Sequence, residues 1–79
     1  MNKETILTTL HEALETGFYI LEGEEVIETT TFDDLKLDSL DKVEIAMVVE
    51  DTFEITLPND SFSELETIKE AVDLISNHL

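Results

Sequence analysis

Leu37-Asp38-Ser39-Leu40-Asp41-Lys42-Val43-Glu44-Ile45-Ala46-Met47-Val48-Val49-Glu50-Asp51-Thr52-Phe53 is the stretch on which the fold turns. Its apolar residues recur at helical rather than strand spacing, and Asp38 with Asp41 three residues on forms a capping-box pattern that opens the helix. At about 100° per residue, with Leu40 as zero, Ile45, Val49 and Phe53 fall between about 140° and 220°, flanked by Ala46 and Val48. Leu40, Val43 and Met47 fall between about −60° and 0°, nearly opposite. Only one of these stripes can be core. The second is interleaved with Glu44, Asp51 and Glu54 and bordered by Glu50, so burying it would draw unpaired carboxylates inside at high cost. The Ile45 stripe therefore faces inward and the Leu40 stripe faces solvent.

Working outward, Leu7, Leu10 and Leu14 place a first helix over residues 3–16, with Gly17 where a C-cap glycine belongs. Residues 18–37 form a long connection broken by Gly23 and by the run Thr29–Thr31. Phe18, Tyr19, Ile20, Leu21, Val26, Ile27, Phe32 and Leu35 make it too apolar for a free linker, and a packed Ω-type loop with a short helical turn is expected. After the central helix, Ile55-Thr56-Leu57 is extended and Pro58 marks a turn, with one short helical turn over 59–64. Thr67 and Glu70 form a second capping box, opening a last helix with Ile68, Val72, Ile75 and Leu79 on one stripe. The predicted class is all-α: a four-helix bundle in one domain, 1–79, with a long loop between the first two helices and a short third helix.

Composition narrows the function. Twenty acidic residues face four Lys and no Arg, for a net charge of −16. Nucleic acids and anionic membranes bind through Lys and Arg, so both are poor partners, whereas basic protein patches are attracted quickly and with salt sensitivity. The absence of Cys removes disulfides, thiolate nucleophiles and Cys-based zinc sites. No apolar run approaches the roughly 20 residues of a membrane span, and a charged start argues against a signal peptide. A soluble, cytoplasmic monomer is expected. The window Asp33–Glu44 has the length of a calcium-binding loop, but Leu35 and Leu37 occupy ligand positions and the sixth position lacks glycine. No metal site is expected. The carboxylates fit solvated helical faces rather than a cleft, so no catalytic residue is assigned.

Ser39 stands in the first turn of the central helix, where unpaired N–H groups and the positive end of the macrodipole favour a phosphate. A serine there also suits a plain capping role. Beside it, the Leu40–Val43–Met47 strip ringed by acids suits protein docking, with adaptable Met and orienting carboxylates.

The stretch from Phe32 to Ile55, with D-S-L-D-x-V-E-(L/I)-x-M at Asp38–Met47 followed by E-x-x-F-x-I at Glu50–Ile55, resembles the attachment region of acyl carrier proteins. The resemblance covers the chain in outline and is close from Phe32 to about Val72. It implies an acyl-carrier-type bundle that is not an enzyme. Ser39, flanked by Asp38, matches the serine that a phosphopantetheinyl transferase loads with 4'-phosphopantetheine from coenzyme A. Acyl groups would ride on that arm as thioesters, presented to acyl-chain synthases and acyltransferases of fatty-acid or related biosynthesis. Asp38, Leu40, Asp41, Val43, Glu44 and Met47 match partner-contact positions, and Glu50, Asp51 and Glu54 extend the acidic rim of this docking face. Ile45, Val49, Phe53, Leu57, Ile68 and Val72 are candidates to line a pocket for the acyl chain.

The chain departs from the family pattern in four places. Lys36 replaces the usual glycine before Leu37-Asp38, so it bears strain if that position takes a positive φ. The spacing from Phe32 to Ser39 is one residue shorter than in common fatty-acid carriers and nearer the polyketide type. The segment Gly17–Glu28 is longer and more apolar than usual, and Lys42 adds a positive charge to the central helix. A specialised polyketide or D-alanyl carrier is therefore a standing alternative, as is an acidic adaptor without a prosthetic group.

Overall fold

In a computed structural model describing residues 1–79, three helices surround one apolar core: α1 (Lys3–Thr16), α2 (Ser39–Phe53) and α3 (Ile68–Asn77). Each begins at a side-chain cap. The Asn2 carboxamide accepts from the Thr5 amide, and Asp38–Asp41 and Thr67–Glu70 form reciprocal capping boxes. These satisfy N–H groups that a helix start otherwise leaves unpaired. From α1 the core receives Ile6, Leu10 and Leu14, from α2 Ile45, Val49 and Phe53, and from α3 Ile68, Ala71, Val72 and Ile75. All seventeen buried residues are apolar.

The fourth helix is absent. Residues 59–64 form successive turns, with Ser61 N–H donating to the Pro58 carbonyl and Leu65 N–H to that of Phe62. Asp60 sits at φ 62°, a left-handed residue that interrupts any helical run. What folds this segment is a single anchor, Phe62, buried edge-on against Phe32 with ring centroids 5.7 Å apart. Leu79 also leaves its expected stripe. α3 ends at Asn77, so Leu79 lies beyond it, exposed.

The long connection is packed, as expected, but contains turns and no helical turn. Ile20, Val26, Phe32, Leu35 and Leu37 are buried, while Phe18, Leu21 and Ile27 face outward. Its far end runs alongside the entry to α3: Thr31 and Thr67 form an antiparallel bridge, Phe32 N–H donates to Glu66 O, and Ile68 N–H to Thr30 O. Gly17 caps α1 at φ −81°, so the left-handed turn falls on Phe18 at φ 64°. Glycine at position 17 leaves room for the Tyr19 ring, which a Cβ there would approach to 2.7 Å and displace.

Candidate functional site at the start of α2

The start of α2 is fixed from below. Phe32 is buried and its carbonyl accepts from the amides of Leu35 and Leu37, while Leu37 enters the core. The turn so formed places Lys36 at φ 60°, the left-handed conformation in which the sequence comparison expected glycine. Asp38 follows in extended geometry, its Oδ1 accepting from Asp41 N–H at 2.9 Å while Asp41 Oδ2 accepts from Asp38 N–H at 3.1 Å.

This arrangement separates two roles that the sequence left joined. The cap is Asp38, so Ser39 is the first helical residue and is exposed. Its hydroxyl is not engaged in capping and stands at the positive end of the helix dipole. A phosphate ester on Ser39 Oγ fits: the hydroxyl is accessible, and the neighbouring carboxylates are occupied in accepting backbone N–H groups.

Next to Ser39, Leu40, Val43 and Met47 are exposed by 76%, 46% and 56%. Glu44, Asp51 and Glu54 are exposed around them, and Asp41 is half-buried. Ile45, Val49 and Phe53 point the other way, as the helical geometry requires. Glu50 does not belong to this rim. It is half-buried, and its Oε2 accepts from Leu57 N–H at 2.8 Å, which directs the carboxylate toward the segment after α2. Lys42 likewise adds no outward positive charge. Its ammonium donates to the Leu65 carbonyl at 2.9 Å and lies 5.5 Å from the Phe32 ring centroid.

An open cleft of about 370 Å³ lies between α2 and residues 57–63, walled by Val43, Ala46, Glu50, Leu57 and Phe62 among others. Of the expected acyl-lining residues only Leu57 borders it. Ile45, Val49, Phe53, Ile68 and Val72 are close-packed core and line no part of the cleft. Ala46 and Phe62 wall this cleft, though neither is among the residues expected to line a pocket. The wheel had placed Ala46 at the edge of the core stripe, and Phe62 lay in a segment without periodicity.

The chain is thus a small helical bundle with an exposed serine at a helix tip, beside an apolar strip fenced by carboxylates. The family model described as a phosphopantetheine attachment site matches residues 4–75. An acyl carrier protein from Rubrobacter xylanophilus is 33% identical over 78 residues, 99% of this chain and 96% of the relative. One from Acidothermus cellulolyticus is 36% identical over 77 residues, covering 98% and 92%. The crystal structure of an acyl carrier protein from Thermotoga maritima superposes with a TM-score of 0.74 at 28% identity, covering 96% of this chain and 87% of that one. The chain belongs to the acyl carrier protein family. Its cofactor is phosphopantetheine, and it is a carrier rather than an enzyme. No helix is long and apolar enough to cross a membrane.

Proposed function

We infer that Ser39 carries the 4'-phosphopantetheine arm and that the outer face of α2 presents it to acyl-chain enzymes in the cytoplasm. The observation that supports this most directly is the division of labour at the helix start, where Asp38 caps and Ser39 stays exposed. In loading, Ser39 Oγ forms the new bond to the phosphate of coenzyme A, the bond to the departing nucleotide breaks, and the hydroxyl proton passes to a base on the transferase. The attached arm supplies a terminal thiol that holds acyl groups as thioesters. The helix dipole stabilises the phosphodiester charge, and buried Leu37 and Phe32 fix the point of attachment.

Leu40, Val43 and Met47 offer apolar contact, while Asp41, Glu44, Asp51 and Glu54 steer a basic partner patch and set its orientation. Tethering raises the effective concentration of the acyl group at each docked active site. The cleft bordered by Val43, Ala46, Leu57 and Phe62 is where a chain would lie in transit.

Intact mass after incubation with coenzyme A and a phosphopantetheinyl transferase tests the assignment. Wild type gains one phosphopantetheine and Ser39→Ala gains none. A Ser39→Ala protein that still takes up the group would move the site elsewhere.

A further inference from the structure

Two large apolar side chains away from α2 are mostly exposed to solvent. Phe18 is 93% exposed and Leu21 is 76% exposed, in the loop that follows α1. Phe18 also takes φ 64°. An aromatic residue in that conformation bears backbone strain, and at Phe18 no burial offsets it. Glycine would suit the turn better, so folding does not explain the residue. Strain held at an exposed apolar side chain points instead to a contact made outside the molecule.

The loop is held in place rather than free. Phe18 N–H donates to Glu15 O, Tyr19 N–H to Leu14 O, and the Glu15 carboxylate accepts from Gly23 N–H at 2.8 Å. A shallow groove of about 600 Å³ runs from Phe18 and Leu21 past Tyr19 to Leu35 and Lys36, reaching the turn that leads into Ser39. Tyr19 lies in this groove, half-buried against the core, and partial burial, then the charges of Glu44 and Asp41, hold its phenol above the usual tyrosine value. The groove is bordered by Glu24, Glu25 and Asp34.

We propose that Phe18 and Leu21 form a second apolar anchor, apart from the α2 face, that seats in a hydrophobic pocket with basic margins on a partner acyl-chain enzyme. This rests on the α2 docking reading and extends it. The occupant follows from charge: a second copy of a chain carrying −16 is repelled, and so is an anionic lipid surface, whereas a basic-rimmed protein pocket is attracted. The two anchors are on separate elements, so together they select partners that match both.

The test uses the phosphopantetheine-loaded protein and a condensing synthase from the same organism, with Phe18→Gly, Leu21→Ser and Met47→Glu compared with wild type. Phe18→Gly should keep or raise the melting temperature while lowering kcat/KM for the synthase about tenfold, as loss of an aromatic anchor does. Leu21→Ser should act in the same direction. Loss with Met47→Glu but wild-type rates for both loop variants would overturn this inference and leave the α2 reading standing. Wild-type rates for all three would overturn both. Dimerisation in sedimentation that Phe18→Gly abolishes, or Phe18-dependent flotation with zwitterionic vesicles, would assign the patch to another occupant and overturn the proposal.

Discussion

Lys36 shows how a single residue reports on backbone geometry. The glycine expected before Leu37-Asp38 implied a positive φ, and Lys36 adopts φ 60°. Its Cβ is strained against the backbone, so Lys36→Gly should raise stability by about 1 kcal/mol, read as a shift in the urea midpoint without a change in slope. An unchanged midpoint would mean that the lysine stem recovers the strain by packing on the loop. The candidate site was legible at this scale through the family resemblance: Asp38-x-x-Asp41 pointed to the cap, whereas Ser39 read locally also suited a capping role and was singled out by the D-S-L-D pattern. The fates of Glu50 and Lys42 were not legible. Each bonds to a backbone atom in a distant segment, Leu57 N–H and Leu65 O, and no local pattern encodes such a pairing.

Among the elements, α1, α2 and α3 were readable from apolar spacing and caps, and the split of α2 into inner and outer stripes followed from where its carboxylates lie. Residues 59–64 form turns where a short helical turn is expected, because over so short a span a 3₁₀ turn and isolated reverse turns share the same i to i+3 bond. The pairing of Thr31 with Thr67 was equally hidden, being a bridge between two irregular segments. That bridge makes the start of α3 a junction. Thr67 caps the helix, and Glu70 accepts from both the Glu66 and Thr67 amides, which holds its carboxyl below the usual range. Thr67→Ala should therefore cost about 1 kcal/mol in thermal or chemical unfolding, with Thr67→Ser close to wild type. Equal losses in both would show that the methyl group, not the cap, matters.

Considered whole, the molecule works against its own charge of −16. Two effects of acid then oppose each other. Lowering the net negative charge in mild acid should relieve repulsion and stabilise the fold. Glu70 and Asp73 act later: backbone N–H donors hold Glu70, and hydrogen bonds from Lys3 and Lys69 hold Asp73, below their ordinary values of 4.5 and 3.8. Groups depressed in the folded state stabilise it above their unfolded values, and that contribution disappears as pH falls through the lower, folded ones. The melting temperature should thus peak in mild acid and drop below about pH 4. Millimolar Mg²⁺ should raise it at pH 7 and do less at the peak. A flat profile between 7 and 5 would mean that self-repulsion is of little weight. The segment opposite α2 has a mechanical consequence of its own. Between Leu57, latched by Glu50, and Leu65, hinged on the Lys42 ammonium, its backbone is stitched by isolated reverse turns rather than a helical ladder. One wall of the cleft is therefore a wound helix, while the other is pinned at both ends by side chains of α2 and riveted to the core by Leu57 and Phe62.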